Sequence, residues 1–511
     1  MEHPDLAQLG AIAGALGSVL ALLSRGRFLV IAGLAVLVAA EAGLALSQGG
    51  AGAVDRLSSA AGAAAVVVGV AALAAAAALL ARRPAIVPVA VLATAPLRPP
   101  LDFDPSNRFF VSVAADGQIG RLMPLYFVLA AAALALGWRL LREERPRPLP
   151  KAIAYPATAF FVLAFLSLLW ADDLEAGVNL LLFFTLPFAV LLAVVARAAY
   201  PDWLPRVLAA VAIALAGLFA AIGLWQAATH EIFFFAPNLE VANSNTDFFR
   251  VTSLFGDPSL YGRHLILGIC VVLAALATLR MDARLGIALL ALMWAGLLFS
   301  YSQTSMAALL VVTLALAAVA GERRVRRAVL AVAAVAVLAA TAYGGAKLVS
   351  GESLNHLTSD RLERVEQSLR VVEADPLLGV GIGGQPRASR ILDRSDRPSS
   401  NFASHSTPLT VTAELGILGL ALYVWLLVGA ARVISSVARL HRALGLALGA
   451  SLLALFVHAL AYSGFVEDPL TWVVLGIAAG WLTWPRGEDR ERRRAERAGA
   501  RGRQPAPVAT T

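Results

Sequence analysis

The run VLAAVAIALAGLFAAIGLWQAA (residues 207–228) carries no charged side chain over 22 positions. At about 1.5 Å of rise per residue, such a helix crosses the ~30 Å hydrocarbon layer of a bilayer. Comparable runs recur from end to end of the 511-residue chain, and 59% of its residues are hydrophobic. The sequence therefore predicts an all-α fold, a polytopic membrane helix bundle of about 12–15 transmembrane helices with one large extracytoplasmic loop. Spans are expected near 6–24, 27–46, 58–81, 84–97, 121–141, 151–170, 178–197, 206–228, 259–279, 285–301, 303–320, 328–349, 408–430, 443–463 and 470–484. The run at 84–97 is short enough to be re-entrant, and 285–301 with 303–320 form a tight hairpin. The first run, Leu6 to Leu23, follows Glu2 and Asp5 rather than a basic segment, so it is expected to be a retained helix. The single cysteine, Cys270, lies in an apolar run, which excludes a disulfide framework and a thiolate metal site.

The net charge of +8 does not indicate nucleic acid as a partner. Its arginines fall in short clusters between apolar runs: Arg25/Arg27, Arg82/Arg83, Arg142 to Lys151, Arg280/Arg284, Arg323 to Arg327, Arg432 to Arg442, and the tail. These clusters occupy alternate connections, so the positive-inside rule places them in the cytoplasm; the expected location is the cytoplasmic (inner) membrane. The connections 98–120, 229–258, 300–304 and 350–407 then face outside. The chain divides into N-terminal transmembrane helices (1–205), central transmembrane helices (206–349), an extracytoplasmic catalytic loop (350–407), C-terminal transmembrane helices (408–484) and a basic, disordered cytoplasmic tail (485–511).

Outside arginines run against the orientation bias and need another reason to be there. They include Arg250, Arg263, Arg361, Arg387, Arg390, Arg394 and Arg397. Guanidinium groups gathered near one membrane surface suit an anion, phosphate above all, although the 387–397 group is also compatible with a plain solvated loop. Asp257-Pro258 is a helix opening whose positive end lies between Arg250 and Arg263. Ser300-Tyr-Ser-Gln303-Thr-Ser305 is a polar notch whose hydroxyls either serve a site or bond back to the backbone.

The long polar stretch predicts an amphipathic helix from Asp360 to Glu373, with Leu362, Val365, Leu369 and Val372 on one face, stopped by Asp375-Pro376. Its expected place is along the membrane surface, as a cover. Gly379, Gly381 and Gly384 spell G-x-G-x-x-G but lack the surrounding βαβ unit of a nucleotide site, so they indicate close backbone approach to a ligand or a helix. His405 precedes Thr407-Pro408, where Thr407 is expected to cap the next helix, so the positive end of that helix's dipole is expected to keep the imidazole neutral. Glu414 falls inside that span and is a functional candidate for that reason. No H-x-x-x-H or H-E-x-x-H pair occurs among the seven histidines, so no metal and no cofactor is expected.

DPLLGVGIGG (375–384), then His405, then Glu414-Leu-Gly416-Ile-Leu-Gly419 resembles the signature of the O-antigen ligase and O-antigen polymerase superfamily. Arg250 with Phe255-Gly256-Asp257-Pro258, and the SYSQTS hairpin (300–305), are similar to two further elements of that family. The resemblance covers roughly residues 225–430. It implies a metal-independent inverting glycosyltransferase that takes a glycan from an undecaprenyl-pyrophosphate carrier on the outer face. The acceptor is a glycan or a lipid: ligases use a lipid core, polymerases another repeat unit. It maps the essential histidine to His405 and the first essential arginine to Arg250. The second essential arginine falls at Gln303, leaving Arg263 or a loop arginine to supply that charge. On this reading His405 takes the acceptor proton while Arg250 and Arg263, with Gln303, Arg361, Arg387 and Arg390 around them, hold the pyrophosphate. Glu414 either orients His405 or fixes helix packing. The alternatives are a transporter or flippase of lipid-linked sugars and a non-catalytic scaffold, although no repeated halves are visible.

Overall fold

A computed structural model describes residues 3–48, 60–98, 122–232, 248–321, 361–462 and 464–485, with scattered residues between 239 and 244 and between 323 and 342. The helices are α1 (Pro4–Leu23), α2 (Arg27–Ser47), α3 (Ala60–Arg82), α4 (Ile86–Thr94), α5 (Met123–Leu141), α6 (Lys151–Leu166), α7 (Leu174–Leu180), α8 (Leu186–Ala196) and α9 (Leu204–Thr229). They continue with α10 (Pro258–Ala277), α11 (Ala283–Ser300), α12 (Gln303–Ala320), α13 (Arg361–Ala374), α14 (Gln385–Leu392), α15 (Thr407–Leu440), α16 (Arg442–Ala459) and α17 (Pro469–Thr483). Twelve spans among the described residues are long and apolar enough to cross a membrane; α7 and α8 make one of them, joined through a π-helical turn at Leu181–Thr185. The expected all-α membrane bundle is what is found. The expected spans at 84–97 and 470–484 are shorter helices, of nine and 15 residues. Most of the span expected at 328–349, the start of the long loop at 350–360 including Asp360, and the tail from residue 486 lie outside the described residues.

Two cores build the bundle. One joins α1, α2, α5, α6, α8, most of α15, one face of α16, and α17. The other joins α9 to α12 with α16. Helix α15 runs to Leu440, ten residues beyond the expected end, because Val433, Ile434 and Val437 stay buried while Ser435 and Ser436 bond back to the carbonyls one turn earlier.

The bundle and the polar loop meet where α15 breaks. Gly416 has φ +66°, and a Cβ there would collide with the Leu377 carbonyl. The break sends the Ile417 amide to Pro376 O (2.9 Å) instead of back along the helix. The carbonyls of Ala413 and Glu414 accept from Val380 (3.0 Å) and Gly381 (2.9 Å). On its other edge the same segment takes the Asp172 amide on Val380 O (3.0 Å), and the Ile382 amide donates to Ser167 Oγ (3.1 Å). The glycines thus admit close backbone approach to a helix, one of the two uses their spacing suggested.

Two local expectations change. Thr407 does not cap α15: the N-cap is Ser406, with no side-chain bond to the helix. Thr407 Oγ instead accepts from the amides of Gly464 and Phe465, both at 3.2 Å, tying α15 to the turn before α17. In α13 the residues turned inward are Gln367, Ser368 and Val371, whereas Leu362 and Leu369 are each 44% exposed. Polar bonds dock that inward face, Gln367 to Asp393 (3.1 Å) and Ser368 to Gln385 (3.3 Å), so the leucines face away from the protein.

Replacing Gly416 by Ala should destabilise the protein by about 1–3 kcal/mol, the usual magnitude of forced left-handed backbone, and loosen the loop. Gly217→Ala is the control, since its Cβ meets nothing within 4 Å. Thermal unfolding of both variants in one detergent checks this, and equal melting temperatures contradict it.

Candidate functional site

The site begins at the first turn of α10. Asp257 Oδ1 accepts from the amides of Ser259 (2.7 Å) and Leu260 (2.9 Å), as its pairing with Pro258 led us to expect. That cap fixes Arg263, which is 4% exposed and ion-paired with Asp468, itself 2% exposed. Arg263 also donates to Gly464 O (3.3 Å), and through Nε and Nη2 to His458 Nδ1 at 3.3 and 3.1 Å. A guanidinium only donates, so Nδ1 accepts and His458 is a neutral imidazole protonated at Nε2. Arg263 further lies 5.5 Å from the ring of Tyr462, whose hydroxyl bonds Asp257. Burial opposes the charge on Asp468, but Arg263, His264 and Arg98 outweigh it and hold the carboxyl below its ordinary range.

His405 lies over this floor, half-buried, with its ring 6.3 Å from that of Tyr462 and inclined by 28°. Burial lowers its pKa, and Arg364 and Arg361 lower it further, against an opposing pull from Asp257. The imidazole is therefore neutral at pH 7, for a different reason than the helix mouth the sequence suggested. Its backbone is set by Gln385, which is 1% exposed. Gln385 Oε1 accepts from the Ser404 amide (2.9 Å), and Nε2 donates to Phe402 O (3.0 Å) and Ser389 Oγ (2.8 Å). Glu414, in turn, accepts from the amides of Gly383 and Gln385. It faces a narrow cleft that Glu467 also lines, and those bonds hold the loop rather than His405 itself.

Arg250 lies within reach of the Asp257 charge. Its backbone is clasped by Asn243 (3.0 and 3.1 Å), and its Nε donates to Ser300 O (3.3 Å), which brings the Arg250 and SYSQTS segments together. Ser302 caps α12 and reaches Ser259 Oγ (3.2 Å), so part of the notch does build structure. Gln303 is exposed at the start of α12, and the Arg361 guanidinium donates to the adjacent Thr304 hydroxyl at 3.3 Å. Arg387 and Arg390 sit on α14; neither is among the charges acting on His405, Tyr462 or Asp468. Beside Arg364, a polar cavity of about 590 Å³ is lined by Glu363, Gln367, Asp393, Arg397, Asn401 and Phe402, among others. Among the described residues, no group of three or more His, Cys, Asp or Glu side chains comes close enough to hold a metal ion.

The structure adds residues that the sequence reasoning passed over. Asp468, His458, Tyr462 and Gln385 are four. Arg98 is a fifth, with a buried Nε that has no hydrogen-bond partner and a charge felt by Asp468 and Tyr462. Signals for three of them were present. Asp468-Pro469 repeats the Asp257-Pro258 opening, His458 is an ionisable group inside an apolar run, and Arg98 is one more arginine in an outside connection.

Residues 288–424 match the family model described as O-antigen ligase. No curated protein matches the chain. The matched stretch holds Gln303, Arg361, His405 and Glu414, whereas Arg98, Arg250, Arg263 and Asp468 lie outside it. The motif resemblance is thus supported by an independent comparison: over this region the chain is similar to the O-antigen ligase and polymerase superfamily. It is a multi-pass membrane protein whose residues 288–424 are similar to the O-antigen ligase family.

Breaking the Arg263–Asp468 pair from one side should cost about 3–5 kcal/mol, because the remaining charge stays buried and unpaired. Replacing both partners together, Arg263→Met with Asp468→Leu, should cost less than either single change. Melting temperatures of the three variants give the comparison; a double variant less stable than both singles would show that the pair acts mainly through its other bonds.

Proposed function

We propose that the protein is an integral membrane glycosyltransferase moving a glycan from an undecaprenyl-pyrophosphate carrier to an acceptor hydroxyl. We place the reaction on the outer face of the cytoplasmic membrane, as charge alternation along the chain suggests. The observation that carries the reading is a neutral imidazole, His405, set among guanidiniums that outnumber the carboxylates near them. Metal independence and inversion at the anomeric carbon belong to this proposal.

The chemistry follows from those positions. The acceptor oxygen attacks the anomeric carbon, and its proton passes to the free ring nitrogen of His405. The bond from that carbon to the pyrophosphate oxygen breaks, and the electron pair leaves with the lipid pyrophosphate. Arg250, Arg361, Arg364 and Arg98 hold the added negative charge, which is electrostatic stabilisation by groups already in place. Arg263, engaged with Asp468 and His458, acts as a brace rather than as a direct phosphate ligand. Gln303 leaves room for Arg361 at the head of α12. Glu414 positions His405 through Gln385 rather than touching it. Arg387 and Arg390 are peripheral, and the polar cavity beside Arg364 receives acceptor sugar through its amides, carboxylates and Phe402.

Replacing His405 by Ala should cut turnover in liposomes supplied with donor and acceptor by about 10²–10⁴-fold, the usual contribution of a placed proton acceptor. Donor binding should persist. Near-normal transfer by this variant would falsify the mechanism.

The pH profile supplies a second check. A base whose pKa is lowered works until the pH falls below that pKa, so the acid limb of kcat/KM should lie below about 6.5, the ordinary imidazole value. Arg364→Gln removes a charge that lowers His405, so the limb should move toward neutral pH. A limb that stays put in Arg364→Gln means that another group is titrating. Membrane sidedness is read separately. A cysteine at Asp396 should react with an impermeant thiol reagent in intact cells and one at Arg439 should not; Cys270 is buried.

A further inference from the structure

A cavity of about 310 Å³ opens between α9, α10, α16 and α17, reaching the end of the bundle away from His405. On α10 its walls start at Leu267 and run to Ala275, more than two turns beyond the residues of the site, and on α16 they start at Ala443, near the opposite end from His458. The shaft is carbon throughout apart from Ser451, with Ile213, Val271, Leu448 and Val474 on its four sides. Three polar groups stand at the mouth: Arg206, Arg280 and His441. Among the described residues, no carboxylate lines it. The carboxylates nearest in sequence to the two arginines are Asp202, exposed, and Asp282, whose oxygen is occupied in capping α11 through the amides of Arg284 (3.0 Å) and Leu285 (3.1 Å).

We propose that this cavity binds an anionic glycerophospholipid, with one acyl chain in the shaft and the phosphate on Arg206 and Arg280. The volume lies at the lower end of the roughly 300–1,000 Å³ typical of small-ligand pockets, and a dry shaft between spans suits an alkyl chain rather than a soluble anion. Two guanidiniums with no lining carboxylate select a phosphate that carries net charge, because a zwitterionic headgroup brings its own cation to the same mouth. Basic pockets between membrane helices are a known physical basis for anionic lipid recognition. This assignment does not depend on the transfer reaction, and no residue of the transfer site takes part.

The test uses the purified full-length protein in detergent, with native mass spectrometry and melting temperature as readouts. Phosphatidylglycerol should be retained and should raise the melting temperature, at least about tenfold more effectively than phosphatidylcholine of the same chain length. Arg206→Ala with Arg280→Ala should abolish that preference. Ala447→Phe, which fills the shaft, should lower retention of both lipids; if it does not fold, the double arginine variant decides alone. Equal retention of the two lipids, or an unchanged preference in the arginine variant, overturns the proposal. So does an equal shift with inorganic phosphate, which would mark a bare anion site. Preferential retention of a polyprenyl phosphate over phosphatidylglycerol overturns it as well, and would assign the cavity to the tail of an isoprenoid lipid.

Discussion

The structure depends on how a broken membrane helix satisfies its backbone. An unpaired amide or carbonyl in hydrocarbon costs several kcal/mol, so α15 can break at Gly416 only if another segment supplies partners. Residues 376–382 supply them on both edges, to α15 and to the turn containing Ser167 and Asp172. The glycines of that segment and the residue after it are a consequence, since Gly379, Gly381 and Gly383 all have positive φ with backbone atoms where a Cβ would stand. From this join the order propagates outward. Glu414 holds the amides that open α14, Gln385 at its start holds Phe402 and Ser404, and His405 follows. A polar loop is thereby made as definite as the helices beneath it.

Electrostatics supplies the second constraint. Asp468 matches one buried guanidinium, that of Arg263, and Asp257 is spent largely on the α10 cap and the Tyr462 hydroxyl. Arg361 and Arg364 act on His405, Arg98 acts on Asp468 and Tyr462, and Arg250 feels Asp257, so on the proposed mechanism an anion here would meet more positive than negative charge. Burial first, and then Arg364 and Arg361 of this group, keep a proton off His405. One charge distribution thus serves both roles proposed: it attracts a pyrophosphate and leaves the neighbouring imidazole able to accept a proton.

How much of this was legible in the sequence depended on the range of the interaction. Apolar runs report membrane helices directly, because span length is set by the bilayer, and the all-α bundle followed. The Asp257 cap was legible because a cap is local. Thr407 looked equally like a cap, and its hydroxyl went instead to amides 57 and 58 residues away, which no local rule anticipates. Helix α13 was recognised from its period, but which side faced inward was decided by Asp393 and Gln385, contributed from later in the loop. The Arg263–Asp468–His458 cluster joins positions about 200 residues apart, and from sequence Arg263 showed only its charge and its place near a helix start.

Gln303 shows how a local departure is absorbed by the tertiary fold. A guanidinium expected at the head of α12 is absent from that position, yet Arg361 arrives there from α13 and donates to Thr304. For an anion the source of the charge is immaterial; what matters is where the donor stands and whether water is excluded around it. A guanidinium carried on a loop helix differs in one respect, because its position depends on that helix staying docked. The docking bonds of α13 run to Asp393 and Gln385, and Gln385 also sets the backbone before His405. On the proposed mechanism the base and the relocated charge are therefore coupled: whatever displaces the loop removes both together, and neither is left acting alone on a bound donor.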